Sequence, residues 1–180
     1  MNAMSQAVSD LVRASTENFV WEKGEFDGTL FARKKESKDK KGRPDIEVNL
    51  NDPGNGFLGF YVFLPGVFVT KRNRPKLEKF LYALDLVEYS IWNVCLGRNN
   101  KKANLHDAVI FHYQWVCPEE TINPQEICAY VDFIAHILYT AADHFYNYFD
   151  WIARGEMSVT KAVADINFGQ KHSHREWGHG

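Results

Sequence analysis

The chain has 180 residues and a formal net charge of −2; 45% of its residues are hydrophobic, 14% aromatic and 24% charged. This mix supplies ample core material and excludes chain-wide disorder, a collagen-like repeat and a disulfide scaffold. The near-neutral balance gives no whole-protein attraction to nucleic acid or to an anionic membrane.

The opening residues Met1-Asn-Ala-Met-Ser-Gln-Ala lack the basic and apolar regions of a secretory signal. Met4, Val8, Leu11 and Val12 recur at helical spacing and predict a short amphipathic helix to about Ser15. From Phe26 the period changes to two. Phe26, Gly28, Leu30 and Ala32 share one face of a strand, with Asp27, Thr29, Phe31 and Arg33 on the other. After a polar loop, Ile46, Val48 and Leu50 alternate with Glu47, Asn49 and Asn51, a strand with one dry face. Asn51-Asp-Pro-Gly-Asn-Gly56 is a turn, and Leu58 to Val69 reads as a central strand, apolar on both faces.

Asn73-Arg-Pro75 opens a helix whose buried stripe is Leu77, Phe80, Leu81 and Leu84, proline being tolerated in the first turn. Ser90 to Leu96 and Val109 to Trp115 then predict a hairpin across a polar turn. Asn123, Pro124 and Glu126 have the N-cap, N1 and N3 chemistry of a capping box, with Ile122 and Ile127 as a hydrophobic staple. The helix they start is predicted to run to about Ala153, with Ile127, Val131, Ile134, Leu138, Ala141, Phe145, Tyr148 and Ile152 on one stripe. A short helix over Ser158 to Phe168 and a polar, frayed tail from Gly169 complete the chain.

The predicted order is α-β-β-β-α-β-β-α: an α+β fold with an antiparallel sheet of about five strands and helices on one face. A domain over 1–153 and a C-terminal extension over 154–180 are expected. No segment is expected to span a membrane. The run from Phe57 to Val69 is too short, and Asp132, Asp143 and Asp150 interrupt the aromatic stretch from Cys128 to Ile152. Cys95, Cys117 and Cys128 are odd in number and form no CxxC pair, which suits reduced thiols and a cytoplasmic protein.

This order resembles the YbjN family, whose fold is similar to that of type III secretion chaperones. The resemblance covers roughly residues 5–153. Pro75-Lys-Leu-Glu-Lys-Phe-Leu-Tyr-Ala-Leu84 resembles the family's helix after the third strand, and Thr121-Ile-Asn-Pro-Gln-Glu126 its polar helix opening. Asp143-His-Phe-Tyr-Asn-Tyr148 is similar to the aromatic end of its last helix. The charged loop at 33–43 and the tail after 153 depart from the family. The resemblance implies a non-enzymatic, dimer-forming module that binds another, unidentified protein, often described as a bacterial sensory transduction regulator. It transfers no site residues.

A second stripe on the last long helix, with Tyr130, Phe133, Ile137, His144 and Trp151, is the expected dimer or partner interface. Leaving its large apolar side chains in water forgoes about 1.5–3 kcal/mol each, so a second subunit or the C-terminal helix should cover them. The alternative is a nucleic-acid-binding regulator using the loop from Arg33 to Arg43, with Arg33, Lys34, Lys35, Lys38, Lys40, Lys41 and Arg43 as phosphate contacts. Residues 1–102 total +4 (17 basic, 13 acidic) and residues 103–180 total −6 (4 basic, 10 acidic), so the basic charge is concentrated. No aromatic or base-reading motif is evident beside it, and the bland reading is a solvated edge that discourages strand pairing.

His172, His174 and His179 could chelate adventitious metal, but a frayed tail supplies no second shell, so no metal and no cofactor are expected. Asp132 and His136, four apart, read as a helix-surface pair rather than as two ligands. No GxSxG, P-loop, Rossmann fingerprint or HExxH occurs, and the chain is read as no enzyme. The 33–43 loop has nothing apolar to anchor it, so deleting Glu36 to Lys41 is expected to leave the melting temperature nearly unchanged in a calorimetric scan.

Overall fold

Alternation of apolar and polar side chains builds the sheet. The computed structural model describes residues 10, 12–13, 18–24, 29–34, 45–51, 57–87, 93–97, 108–116 and 123–176. Six strands form one antiparallel sheet: β1 (Phe19–Lys23), β2 (Thr29–Lys34), β3 (Val48–Asn51), β4 (Phe57–Phe68), β5 (Asn93–Leu96) and β6 (Ala108–Val116). Their order is β1-β2-β3-β4-β6-β5. Three helices accompany them: α1 (Arg74–Val87), α2 (Pro124–Arg154) and α3 (Val159–Glu176).

The fold is α+β, and the sheet has six strands rather than about five. The added strand is β1, which pairs with β2 from Phe19↔Lys34 to Lys23↔Leu30. It buries Phe19 and Trp21 and exposes Val20 and Glu22, too short an alternation to stand out before the charged residues that follow. Of the predicted N-terminal helix, Asp10, Val12 and Arg13 are helical and Val12 is fully buried; its other residues lie outside the described ones. The 35–43 part of the basic loop also lies outside them. α3 continues to Glu176, further than the predicted end near Phe168.

Contacts within the chain define two units: residues 1–65 with 110–144, and residues 66–109 with 145–180. In the first, the register places Leu30 opposite Leu50 and Ala32 opposite Val48, then Val48 opposite Val62 and Leu50 opposite Phe60. All of these are buried, as are Ile127, Val131, Ile134 and Leu138 of α2. β4 buries Leu58, Phe60, Val62 and Leu64, which share one face. At Pro65-Gly66 the alternation slips by one residue, so Val67 and Val69 are buried next. That slip, with aromatics on the opposite face, is why the segment reads as apolar on both sides.

The second unit has a core of Leu77, Phe80 and Leu84 from α1, Phe145, Phe149 and Ile152 from α2, and Ala162 and Ile166 from α3. Phe80 and Phe149 meet edge to face at 5.0 Å. Gly155 ends α2 with φ +79°, and the N–H groups of Gly155 and Glu156 donate to the carbonyls of Ile152 and Trp151, a Schellman motif. The hydroxyl of Ser158 then caps α3 by accepting from the Lys161 N–H.

Asn73 ties this unit together. Only 8% exposed, it caps α1 with its carbonyl, which accepts from the N–H groups of Lys76 and Leu77. Its side-chain oxygen accepts from the Thr70 N–H at 2.7 Å, and its amide nitrogen donates to the carbonyls of Phe68 and Ala153 at 2.9 and 3.2 Å. One side chain thus joins the end of β4, the start of α1 and the end of α2. Asn73→Ala is expected to cost about 2–4 kcal/mol in urea unfolding, since it strands buried backbone groups. Asn73→Asp is expected to be at least as destabilised, because it sets a carboxylate against two carbonyls.

Candidate functional site

Antiparallel sheets with one covered face usually present polar side chains on the other. The first unit departs from this rule. Phe31 faces Asn49 and Asn49 faces Tyr61 across the ladder, and Tyr61 stacks on His112 of β6 at 6.4 Å and 20°. The row is half-buried throughout. Phe63 lies on the same face as Tyr61, opposite its buried neighbours Val62 and Leu64, and Phe57 and Val116 extend the face at 47% and 61% exposure. Tyr61 folds back along its own strand, so close to Gly59 that a Cβ there would lie 2.8 Å from the ring. Charge gathers on the β1–β3 side. Arg33 donates to Glu47 at 2.8 Å and lies over the Phe31 ring at 5.5 Å, and Glu47 raises the pKa of its guanidinium.

The opposite face is covered by α2. Tyr130 packs on Trp115 at 4.3 Å and shares a 3.1 Å hydrogen bond between hydroxyls with Tyr113; burial and that bond push its pKa up to about 12. Of the predicted interface residues, Tyr130 is therefore occupied by its own chain. Phe133 is 55% exposed, Ile137 half-buried and His144 exposed. Trp151, in the second unit, is half-buried and meets Tyr148 edge to face. The buried stripe of α2 is as the spacing predicts, from Ile127 to Ile152, with Tyr148 half-buried.

A cleft of about 540 Å³ opens beside the N-terminal half of α2, lined by Asn18, Gln125, Cys128, Asp132, Phe133 and His136 among others. Three of these, Cys128, Asp132 and His136, follow at steps of four on one helix face. Asn18 donates to Asp132 Oδ2 at 2.5 Å, and Asp132 Oδ1 is enclosed without a hydrogen-bond partner. The predicted pairing of Asp132 with His136 is thus replaced by one with Asn18. A smaller hollow of about 160 Å³ in the second unit lies among Thr70, Arg72, Lys76 and Arg154. Arg154 is paired there with Asp150 and Glu156, and the N–H groups of Arg74 and Lys76 already donate to the carbonyls of Thr70 and Asn73.

The candidate phosphate contacts divide. Arg33 is engaged by Glu47, and the Lys34 ammonium sits 5.1 Å from the Tyr139 ring centre; Lys35, Lys38, Lys40, Lys41 and Arg43 lie outside the described residues. Among the described residues, no three of His, Cys, Asp and Glu are placed to share a metal ion, and no helix is long and apolar enough to cross a membrane.

Comparisons with protein-family models, curated proteins and solved structures find no match to this chain. The geometry therefore carries the functional argument. The residues that sequence reasoning passed over are Tyr61 and Phe63, whose shared face with Phe31 and His112 becomes visible only once the register is known.

Burial lowers the pKa of His112, so the folded protein holds this imidazole neutral where the unfolded chain accepts a proton. The stability this contributes is present above the unfolded value, about pH 6.5, and is lost as pH falls towards the folded value. Urea unfolding between about pH 7.5 and 5 is expected to show a shallower decline for His112→Gln than for the wild type.

Proposed function

We propose that this chain is a non-enzymatic protein-binding module whose contact surface is the outer face of the sheet in its first unit, and that a second copy of the chain is its first partner. One observation carries the reading: a central row of Phe31, Asn49, Tyr61 and His112, flanked by Phe63, Phe57 and Val116, where an antiparallel sheet ordinarily carries polar side chains. Leaving a large apolar side chain wet forgoes about 1.5–3 kcal/mol, and several stand together here. Aromatic residues at the centre with charges to one side is also the composition of a protein interface. The resemblance of the element order to the YbjN family supports the same reading, as a regulatory or chaperone-like module that dimerises. Three cysteines, odd in number and with no CxxC pair, suit a reducing compartment, and we propose a cytoplasmic location.

The surface differs from the α2 stripe expected from sequence because Trp115 already covers Tyr130. Sedimentation equilibrium at micromolar concentration is expected to give a wild-type dimer, at least tenfold weaker association for Phe63→Lys, and little change for Ile137→Asp. A wild-type monomer throughout that range overturns self-association. Dissociation by Ile137→Asp alone moves the interface to α2.

A further inference from the structure

We propose that the cleft beside the N-terminal half of α2 binds an alkylguanidinium or alkylammonium group, with Asp132 as its counter-charge. The first observation is the orphaned acceptor. Buried polar atoms nearly always find a partner, and a carboxylate oxygen without one is costly. Asp132 Oδ1 is such an atom. His136, one turn on, makes no hydrogen bond to it, and Asn18 engages only the other oxygen.

The walls supply the second argument. No Lys or Arg among the described residues lines the cleft, so the negative charge of Asp132 has no cationic neighbour there. Phe133, 55% exposed, offers a ring face for a cation or its alkyl stem. Gln125 and His136 add polar groups at the wall, and a volume of about 540 Å³ falls within the range of small-ligand sites.

The geometry also favours a charged donor over a neutral one. The Asn18 bond fixes the depth of the carboxylate and leaves one oxygen for a ligand. Oδ1 is itself enclosed, so a ligand reaches it through a turn of the carboxylate about its soft terminal torsion, a turn that the exposed Asn18 side chain can follow. An ammonium or guanidinium adds opposite-charge attraction, and for guanidinium a planar fork of donors, to its hydrogen bond with the carboxylate, which a neutral urea or amide lacks. A metal ion is a poorer fit, because among the described residues no three of His, Cys, Asp and Glu, Cys128, Asp132 and His136 included, are placed to share one.

The test is calorimetric titration of the full chain with agmatine and, separately, with the peptide acetyl-Gly-Arg-Gly-amide, using butylurea as an uncharged alkyl control at matched ionic strength. At least one cationic probe is expected to bind and butylurea is not. Tighter binding of agmatine identifies a free small molecule as the ligand; tighter binding of the peptide identifies an arginine side chain on a polypeptide. Asp132→Asn, which keeps an acceptor for Asn18, is expected to weaken binding about tenfold or more. Phe133→Ala is expected to weaken it severalfold, and Glu126→Gln, a carboxylate of the same helix outside the cleft, to leave it unchanged. Absence of binding by both cations at millimolar concentration overturns the proposal. So does equal binding by butylurea, or full affinity in a folded Asp132→Asn. Should Asp132→Asn fail to fold, undiminished affinity in Phe133→Ala overturns it instead. None of these results bears on self-association through the sheet.

Discussion

The register of β2, β3 and β4 is the constraint on which the first unit depends. Side chains alternate across a strand, so slipping any of these pairings by one residue would turn every side chain to the other face. With Leu30, Leu50 and Phe60 in line, and Ala32, Val48 and Val62 in the next row, the inner face is apolar and buried. The same pairing places Phe31, Asn49 and Tyr61 together on the outside. One act of strand pairing thus makes both the core and the surface proposed for binding. A slipped pairing would expose Leu50 and Val62 and bury Asn49, which is why the aromatic outer row does not reverse into the core.

α2 serves each unit through a different part of its length. Ile127 to Leu138 fill the core of the first, and Phe145 to Ile152 that of the second. In the first unit its remaining surface is divided by chemistry. Tyr130 is satisfied by Trp115 and the Tyr113 hydroxyl, whereas Asp132 has only Asn18 for one of its two oxygens. In the second unit the hydrogen bonds of Asn73 and the glycine-terminated end of α2 leave the polar backbone well paired. The unmatched groups, a half-buried aromatic row and a carboxylate oxygen without a donor, both belong to the first unit, and this is where binding is proposed.

Much of this was legible in the sequence, for identifiable reasons. The buried stripe of α2 and its start at Asn123 followed from spacing and capping chemistry, and the Gln125 N–H does donate to Asn123 Oδ1, at 3.0 Å. Strands β2, β3 and β6 announced themselves by period-two alternation. β1 did not, because Phe19-Val-Trp21 alternates for only three residues before Glu22 and Lys23, and its partner is set by tertiary pairing. Phe31 and His112 could be placed on the outer faces of their own strands from sequence. Tyr61 and Phe63 could not, since β4 carries apolar residues on both faces and Pro65-Gly66 shifts its phase. The Asn18–Asp132 bond joins residues 114 positions apart and left no local signal.

The outer aromatic row is proposed to be accessible in the single chain and covered by association. Hydroxyl-radical footprinting read by mass spectrometry tests it residue by residue, comparing nanomolar with high-micromolar protein. Phe31, Tyr61 and Phe63 are expected to be labelled in dilute protein and protected at high concentration, with Phe60 and Phe111 of the inner face protected throughout. Labelling of Phe60 in the folded chain, or of Phe63 to the same extent at every concentration, would contradict the proposal.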